Sequence, residues 1–395
     1  MMLLMLATVL PLLRGRAELQ GRAAERWQSN TSHADSPCSM PVVDAGRMSL
    51  SKLTMRCASS TTPLLIRGLT AKPRWRAAVA ALANRTAFLQ AFGKESVRLS
   101  LAGHLGQGPE LSTAELDKQK LEAMAGWTND GSTFRAHLLR QVAAGEARPW
   151  TTLGDFAGAM RDGTVPLDAY IFHNMTESRA LAQILSPLNA LWRGIILAQL
   201  SPSQKLLYEA ANTAAEPAAQ GGDGGGGAKG SSLTRIGLGA EATGTPFHDH
   251  EMALNLAFGG RKRWLVAKPA TDLVLVSPAD LLYKVLPSPS FRAAWRKFER
   301  GSRAWECTQH AGEVVFVPEL FLHAIVNLEE SLAVAIQCEN NDPRKDLGTL
   351  NSLIVHASPG AASAPGPCGQ PWFSPWEGLA PERSTEALRT LLSQV

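Results

Sequence analysis

The sequence predicts a mainly β protein, a sandwich or jelly-roll barrel flanked by α-helices. Three observations carry that expectation. From Leu233 onward, short apolar runs recur at regular intervals with Gly or Pro between them. Upstream, helical spacing alternates with brief strand-like runs. Within the C-terminal half, His248, His250 and His323 stand in or beside apolar strands, at spacings that suit one shared ion.

Taken in order, Pro63 to Gly68 reads as a short strand ended by Gly. Arg74 to Phe92 places Val79, Leu82, Phe88 and Leu89 at helical spacing. Val97 to Leu101 alternates like a strand, and Leu111 to Met124 opens with the N-cap chemistry of Ser112, Thr113 and Glu115. Gly131 to Ala144 reads as a further helix. Ala169 to Phe172 is a strand, followed by a helix from Glu177 to Leu185. Eight strands are then expected: Arg235–Gly239, Thr245–His250, Leu254–Phe258, Trp264–Ala267, Trp305–Thr308, Val314–Val317, His323–Asn327 and Leu332–Gln337. Gly259-Gly260 predicts a hairpin turn joining two of them.

The domain layout follows from composition. Residues 1–17 hold an apolar run, 18–41 a polar stretch read as a disordered linker, and 42–345 the main domain, with its core at 233–340. Insertions are expected at about 103–148 and 211–232. The second contains Gly221 to Gly230, whose glycines cost too much entropy to order without partners. Residues 346–395 form a Pro- and Gly-rich tail ending in a short amphipathic helix, Ser384 to Leu392.

With 395 residues and a hydrophobic fraction of 45%, the chain can bury a substantial core. The net charge of +4 is mild and scattered, and Arg261-Lys262-Arg263 is too small a cluster for a nucleic-acid footprint. Nucleic acid is therefore excluded as a partner. Met1 to Leu13 resembles the apolar core of a signal peptide, although an Arg-rich organelle transit peptide is the alternative. Three Asn-x-Ser/Thr triplets, at Asn30, Asn84 and Asn174, favour the secretory pathway, with the endoplasmic reticulum lumen as the expected compartment. No later run is long and apolar enough to span a bilayer. The five cysteines (Cys38, Cys57, Cys307, Cys338, Cys368) show no C-x-x-C pair, so one or two disulfides are expected rather than a zinc framework.

The chemistry concentrates in two segments. Thr245-Pro246-Phe247-His248-Asp249-His250 places two imidazoles at alternate positions, so that on a strand both leave the same face. Gly312-Glu313-Val314-Val315-Phe316-Val317-Pro318 supplies a buried strand and a stop, and His323 follows. Three protein ligands leave coordination positions open, which suits chemistry better than a closed structural site. A lone His-x-His is more often a satisfied polar face. It is the combination with the later strand and His323 that favours ligands.

With Gly260-Arg261-Lys262-Arg263-Trp264, Glu306-Cys307-Thr308 and His323-Ala324 added, the sequence resembles the JmjC (cupin-type) family of iron(II)/2-oxoglutarate oxygenases over about Arg235 to Gln337. The resemblance implies a double-stranded β-helix core, Fe(II) and 2-oxoglutarate as cofactors, and a protein or peptide substrate. It implies His248 and His323 as metal ligands. His250 stands where most such oxygenases have Asp or Glu. The neighbouring Asp249 is expected to leave the opposite face. Lys262 is the implied partner of the 2-oxoglutarate distal carboxylate, with Arg261 or Arg263 as substitutes, and Thr245, Asn327 and Asn255 are further pocket candidates. Trp264 and Phe316 read as core.

Two further readings stay open. One is a non-catalytic lumenal binding or assembly protein on the same fold, favoured by His250. The other is an enzyme using three histidines without 2-oxoglutarate.

Overall fold

The computed structural model describes residues 38–101, 133–144, 150–163, 165, 169–175, 178–199, 232–250, 252–268 and 281–338. The expected leader, most of the linker, the Leu111–Met124 helix, the Gly-rich segment and the C-terminal tail lie outside these residues.

Thirteen strands are described: β1 Val42–Asp44, β2 Leu64–Arg67, β3 Ser96–Leu101, β4 Trp150–Thr152, β5 Ala169–Asn174, β6 Ser232–Gly239, β7 Gly244–His248, β8 Ala253–Gly259, β9 Lys262–Ala267, β10 Ala304–Gln309, β11 Val314–Val317, β12 Leu322–Asn327 and β13 Ser331–Cys338. They form a nine-stranded sheet in the order β1-β2-β11-β8-β13-β6-β5-β3-β4 and a four-stranded sheet in the order β10-β9-β12-β7. From β6 onward the chain alternates between sheets: β6, β8, β11 and β13 in the larger, β7, β9, β10 and β12 in the smaller. That alternation is the double-stranded β-helix form of the jelly roll. The fold is mainly β with flanking helices, as the sequence predicts.

Strand alternation explains why the strand sequences read as continuous apolar runs. Val314 and Phe316 pack outward with Leu254, Leu256, Val334 and Ile336, beneath the helices Leu50–Ala58 (α1), Pro73–Ala83 (α2) and Arg85–Phe92 (α3). Val315 and Val317 point inward with Leu65, Trp264, Val266 and Trp305. The outer face of the smaller sheet, through Phe247, Leu265, Ala267, Ala324 and Val326, is covered by Trp295 of the helix Pro289–Arg300. Strands buried on both faces lose the polar–apolar alternation of a half-exposed sheet.

Four features differ from the sequence expectation. Gly259-Gly260 is not a hairpin, because β8 pairs with β11 and β13 while β9 pairs with β10 and β12. The glycines instead carry the chain across from one sheet to the other. Gly260 has φ +70°, and a Cβ there would collide with the Glu330 carbonyl. The Arg74–Phe92 helix is two helices, split at Asn84, whose side chain accepts the Ala87 N–H at 2.9 Å and caps the second. Residues 38–41, expected within a disordered linker, are held in place. A Cys38–Cys307 disulfide ties them to β10, and Met40 enters the inner core. The helix Ser186–Gln199 was not expected, although Leu188, Leu191, Trp192, Ile195 and Ile196 bury one face at helical spacing. Among the described residues no helix is long and apolar enough to cross a membrane.

Candidate metal centre

His248 ends β7 and His323 is the second residue of β12, and the two stand directly opposite in the antiparallel ladder. Cross-strand partners project to the same face, so pairing alone brings these imidazoles together, with ring centroids 4.2 Å apart. The register shifts between His323 and Ile325, giving β7 one extra residue around Pro246. Pro246 lacks an N–H, and β7 is an edge strand, where such a residue and such a bulge are tolerated. Gly244 (φ +147°) opens β7 where any Cβ would strike the Ile325 carbonyl, so glycine permits the close approach of β7 to β12.

The expected strand through His250 ends two residues early, at His248. His250 still returns to the same cluster, 5.3 Å from the His248 ring and 4.7 Å from the His323 ring. Its carbonyl accepts the Leu320 N–H at 3.0 Å, from the turn between β11 and β12. Leu320 has φ +66°, a left-handed conformation that costs a β-unbranched residue about 1 kcal/mol or more. This turn therefore anchors His250 while it delivers His323.

Candidate ligand atoms of His248, His250 and His323 all lie within 4.8 Å of one another. Two of the rings are fixed in tautomer. His248 Nδ1 lies 2.8 Å from the Pro246 carbonyl, and His323 Nδ1 lies 2.8 Å from the Phe321 carbonyl. A carbonyl only accepts, so each Nδ1 carries the hydrogen and each Nε2 keeps its lone pair. Burial lowers the pKa of both, and at His323 the neighbouring histidines lower it further. Neutral imidazoles with free Nε2 atoms are what a divalent cation binds. Trp264 backs the cluster, its ring near-parallel to His323 at 6.0 Å and its indole N–H donated to Gln309 at 2.8 Å. Asp249 adds no ligand atom to the cluster; burial raises its carboxyl pKa, and the neighbouring His248 lowers it by less.

Further along β12 from His323, at Ile325 and Asn327, lies a cavity of about 20 Å³, lined also by Tyr170, Phe172, Thr245, Asn255 and Lys262 among others. All four predicted pocket residues, Lys262, Thr245, Asn327 and Asn255, therefore meet in one place. Lys262 is 6% exposed, and burial lowers its pKa to about 7. Its ammonium donates to Asn327 Oδ1 at 2.7 Å across the β9–β12 ladder, and Asn327 donates in turn to Thr243 Oγ1 at 2.9 Å. Thr245 Oγ1 and Asn255 Oδ1 are buried without a hydrogen-bond partner, an expense in a dry interior unless a ligand or water joins them. Arg261 and Arg263 do not enter. Arg261 pairs with Glu329, and Arg263 joins Arg292 on the buried Glu306. Thr243, which orients Asn327, was not foreseen, since a strand-edge threonine has no distinguishing sequence signal.

Fold and site together define a cupin-type jelly-roll protein whose smaller sheet carries a three-histidine cluster suited to a metal ion. No protein-family model matches the chain. Curated relatives do. Zebrafish (Danio rerio) 2-oxoglutarate and iron-dependent oxygenase JMJD4 is 30% identical over 104 residues, 25% of this chain and 24% of that protein. Arabidopsis thaliana arginine-specific demethylase JMJ22 is 30% identical over 132 residues, 31% of this chain and 25% of its own length. Mouse (Mus musculus) JmjC domain-containing protein 8 is 31% identical over 103 residues, 25% of this chain and 35% of that protein. The chain thus matches about a quarter to a third of each relative's length. Over that stretch the chain is similar to JmjC-domain proteins.

Proposed function

We propose that the chain is an Fe(II)- and 2-oxoglutarate-dependent oxygenase of the JmjC type that acts on a protein or peptide side chain in the secretory pathway. One observation carries the reading: imidazoles with tautomers set for metal binding and a buried ammonium lie along neighbouring strands of one sheet, β7, β12 and β9. The donor set fits both groups. Three neutral imidazoles can hold Fe(II) and leave positions open. Lys262 offers a desolvated cation to a distal carboxylate, and Thr245 Oγ1 and Asn255 Oδ1 are polar atoms awaiting partners.

The chemistry these groups supply when bound is the oxidation of a C–H bond by O₂, with 2-oxoglutarate converted to succinate and CO₂. The chain's own residues orient and shield. Lys262 holds the distal carboxylate only after leaving Asn327, because the cavity of about 20 Å³ admits little more than one water. Thr243 retains Asn327 as it gives way. Trp264 and Val266 line the inner core beside His323 and keep water from its far side. The leader-like segment and the glycosylation triplets support a lumenal site of action. The Cys38–Cys307 disulfide does so too, since such bonds persist in oxidising compartments.

The test is succinate release by the purified chain with Fe(II), ascorbate and 2-oxoglutarate. Slow uncoupled turnover is expected in the wild type, none in His248→Ala, and faster turnover in His250→Asp, which restores a carboxylate ligand. Two observations favour the second reading, a non-catalytic lumenal binding protein: His250 in place of a carboxylate, and the Lys262–Asn327 bond that closes the cavity. If the wild type neither binds 2-oxoglutarate nor releases succinate, and His250→Asp restores neither, the second reading replaces the first.

A further inference from the structure

The helix Pro289–Arg300 carries Arg292, Arg296 and Arg300 four residues apart, with Lys297 beside them. Like charges at that spacing repel and weaken a helix. Part of the repulsion has a visible answer, because Arg292 donates to Glu306 Oε2 at 2.7 Å. Among the described residues Arg296 has no ion-pair partner, and it is exposed.

Between this helix, β10 and the residue 38–39 segment lies a cavity of about 300 Å³, lined by Cys38, Ser39, Arg292, Trp295, Arg296, Glu299 and Glu306. Of its two carboxylates one is paired with cations and the other only hydrogen-bonded, so that Glu299 stands against the exposed Arg296, Lys297 and Arg300. Glu306 takes both Arg263 and Arg292, and Glu299 accepts the Ser39 hydroxyl at 2.7 Å. What remains is an excess of donors. Trp295 is 1% exposed, and its indole Nε1 is buried with no hydrogen-bond partner. An indole N–H only donates, so the group that would satisfy it is an acceptor. With Arg296 at the rim, an anionic acceptor fits best.

The geometry points to a docking site for an acidic peptide segment of a partner protein: one carboxylate enters the cavity against Arg296 and Trp295, and flanking acids lie along Lys297 and Arg300. The cavity is large enough for an acidic side chain together with its backbone. The site is built on the outer covering of the smaller sheet, so it is independent of the histidine cluster and of the activity proposed for it.

The probe is a fluorescein-labelled peptide of eight glutamates, titrated with the full chain and followed by anisotropy at low and at physiological ionic strength. Saturable binding that weakens with salt is expected, with no binding of the matching lysine peptide. Arg296→Glu should weaken it about tenfold or more, with an unchanged melting temperature because Arg296 supports no described contact. Trp295→Phe removes the N–H together with the pyrrole half of the indole, and should weaken binding about threefold at a melting temperature that reports any packing loss separately. Absence of saturable binding overturns the proposal, and so does binding that Arg296→Glu leaves intact, since that is attraction to net charge alone. Displacement of the peptide by an equal concentration of inorganic phosphate also overturns it, by marking a small-anion site.

Discussion

Lys262 makes the binding of 2-oxoglutarate depend on pH in a calculable way. The displacement of its pKa from 10.5 to about 7 corresponds to about 5 kcal/mol by which the dry interior disfavours the ammonium. The lowered value means that the ligand-free protein holds Lys262 charged below pH 7 and increasingly neutral above it. A dicarboxylate binds the charged form, so above pH 7 each binding event takes up a proton. The dissociation constant should then rise about tenfold per pH unit, for example between pH 7.5 and 8.5. Burial keeps His248 and His323 neutral across that range, so their occupancy by metal does not add to the slope. Anaerobic calorimetry with Mn(II) and 2-oxoglutarate, in two buffers of different ionisation enthalpy, measures both affinity and proton uptake. Lys262→Arg should flatten the profile, because a guanidinium stays charged throughout. A wild-type affinity constant from pH 7 to 9, with no proton uptake, would refute the reasoning and remove Lys262 from the carboxylate site.

Other expectations concern the scaffold. Glu306→Gln leaves Arg263 and Arg292 without their shared, almost fully buried carboxylate, and should lower stability by about 3–5 kcal/mol in urea denaturation. Gly244→Ala forces a side chain against the Ile325 carbonyl and parts β7 from β12. It should weaken metal binding in a competition assay even where the circular dichroism spectrum is retained.

Much of the jelly roll is legible in the sequence because its strands are short, apolar and punctuated. The spans expected from Arg235 to Gln337 fall within two or three residues of β6 to β13. The error at Gly259-Gly260 has a physical cause. Two glycines announce a change of direction, but which sheet receives the next strand depends on partners distant in sequence. His250 was expected on a strand by alternation, and it reaches the cluster instead through the turn at Leu320, a contact that spacing cannot reveal. Lys262 stood out over Arg261 and Arg263 only through resemblance to a family. In the structure the choice follows from strand alternation, which turns Lys262 inward opposite Asn327 and leaves its neighbours to Glu329 and Glu306. The Cys38–Cys307 pairing was not legible, since five scattered cysteines fix no partner.

The most direct test of the account is stoichiometric metal binding by the three histidines. Anaerobic titration with Co(II), followed by its visible absorption, should show one site per chain. His248→Ala and His323→Ala should each weaken that site about a hundredfold or more while the protein stays folded. Nitrogen hyperfine couplings from coordinated imidazole should be present in the wild type and reduced in each variant. A chain that takes up no Co(II), or whose bound Co(II) is indifferent to His248→Ala and His323→Ala, would contradict the metal centre and the oxygenase chemistry built on it.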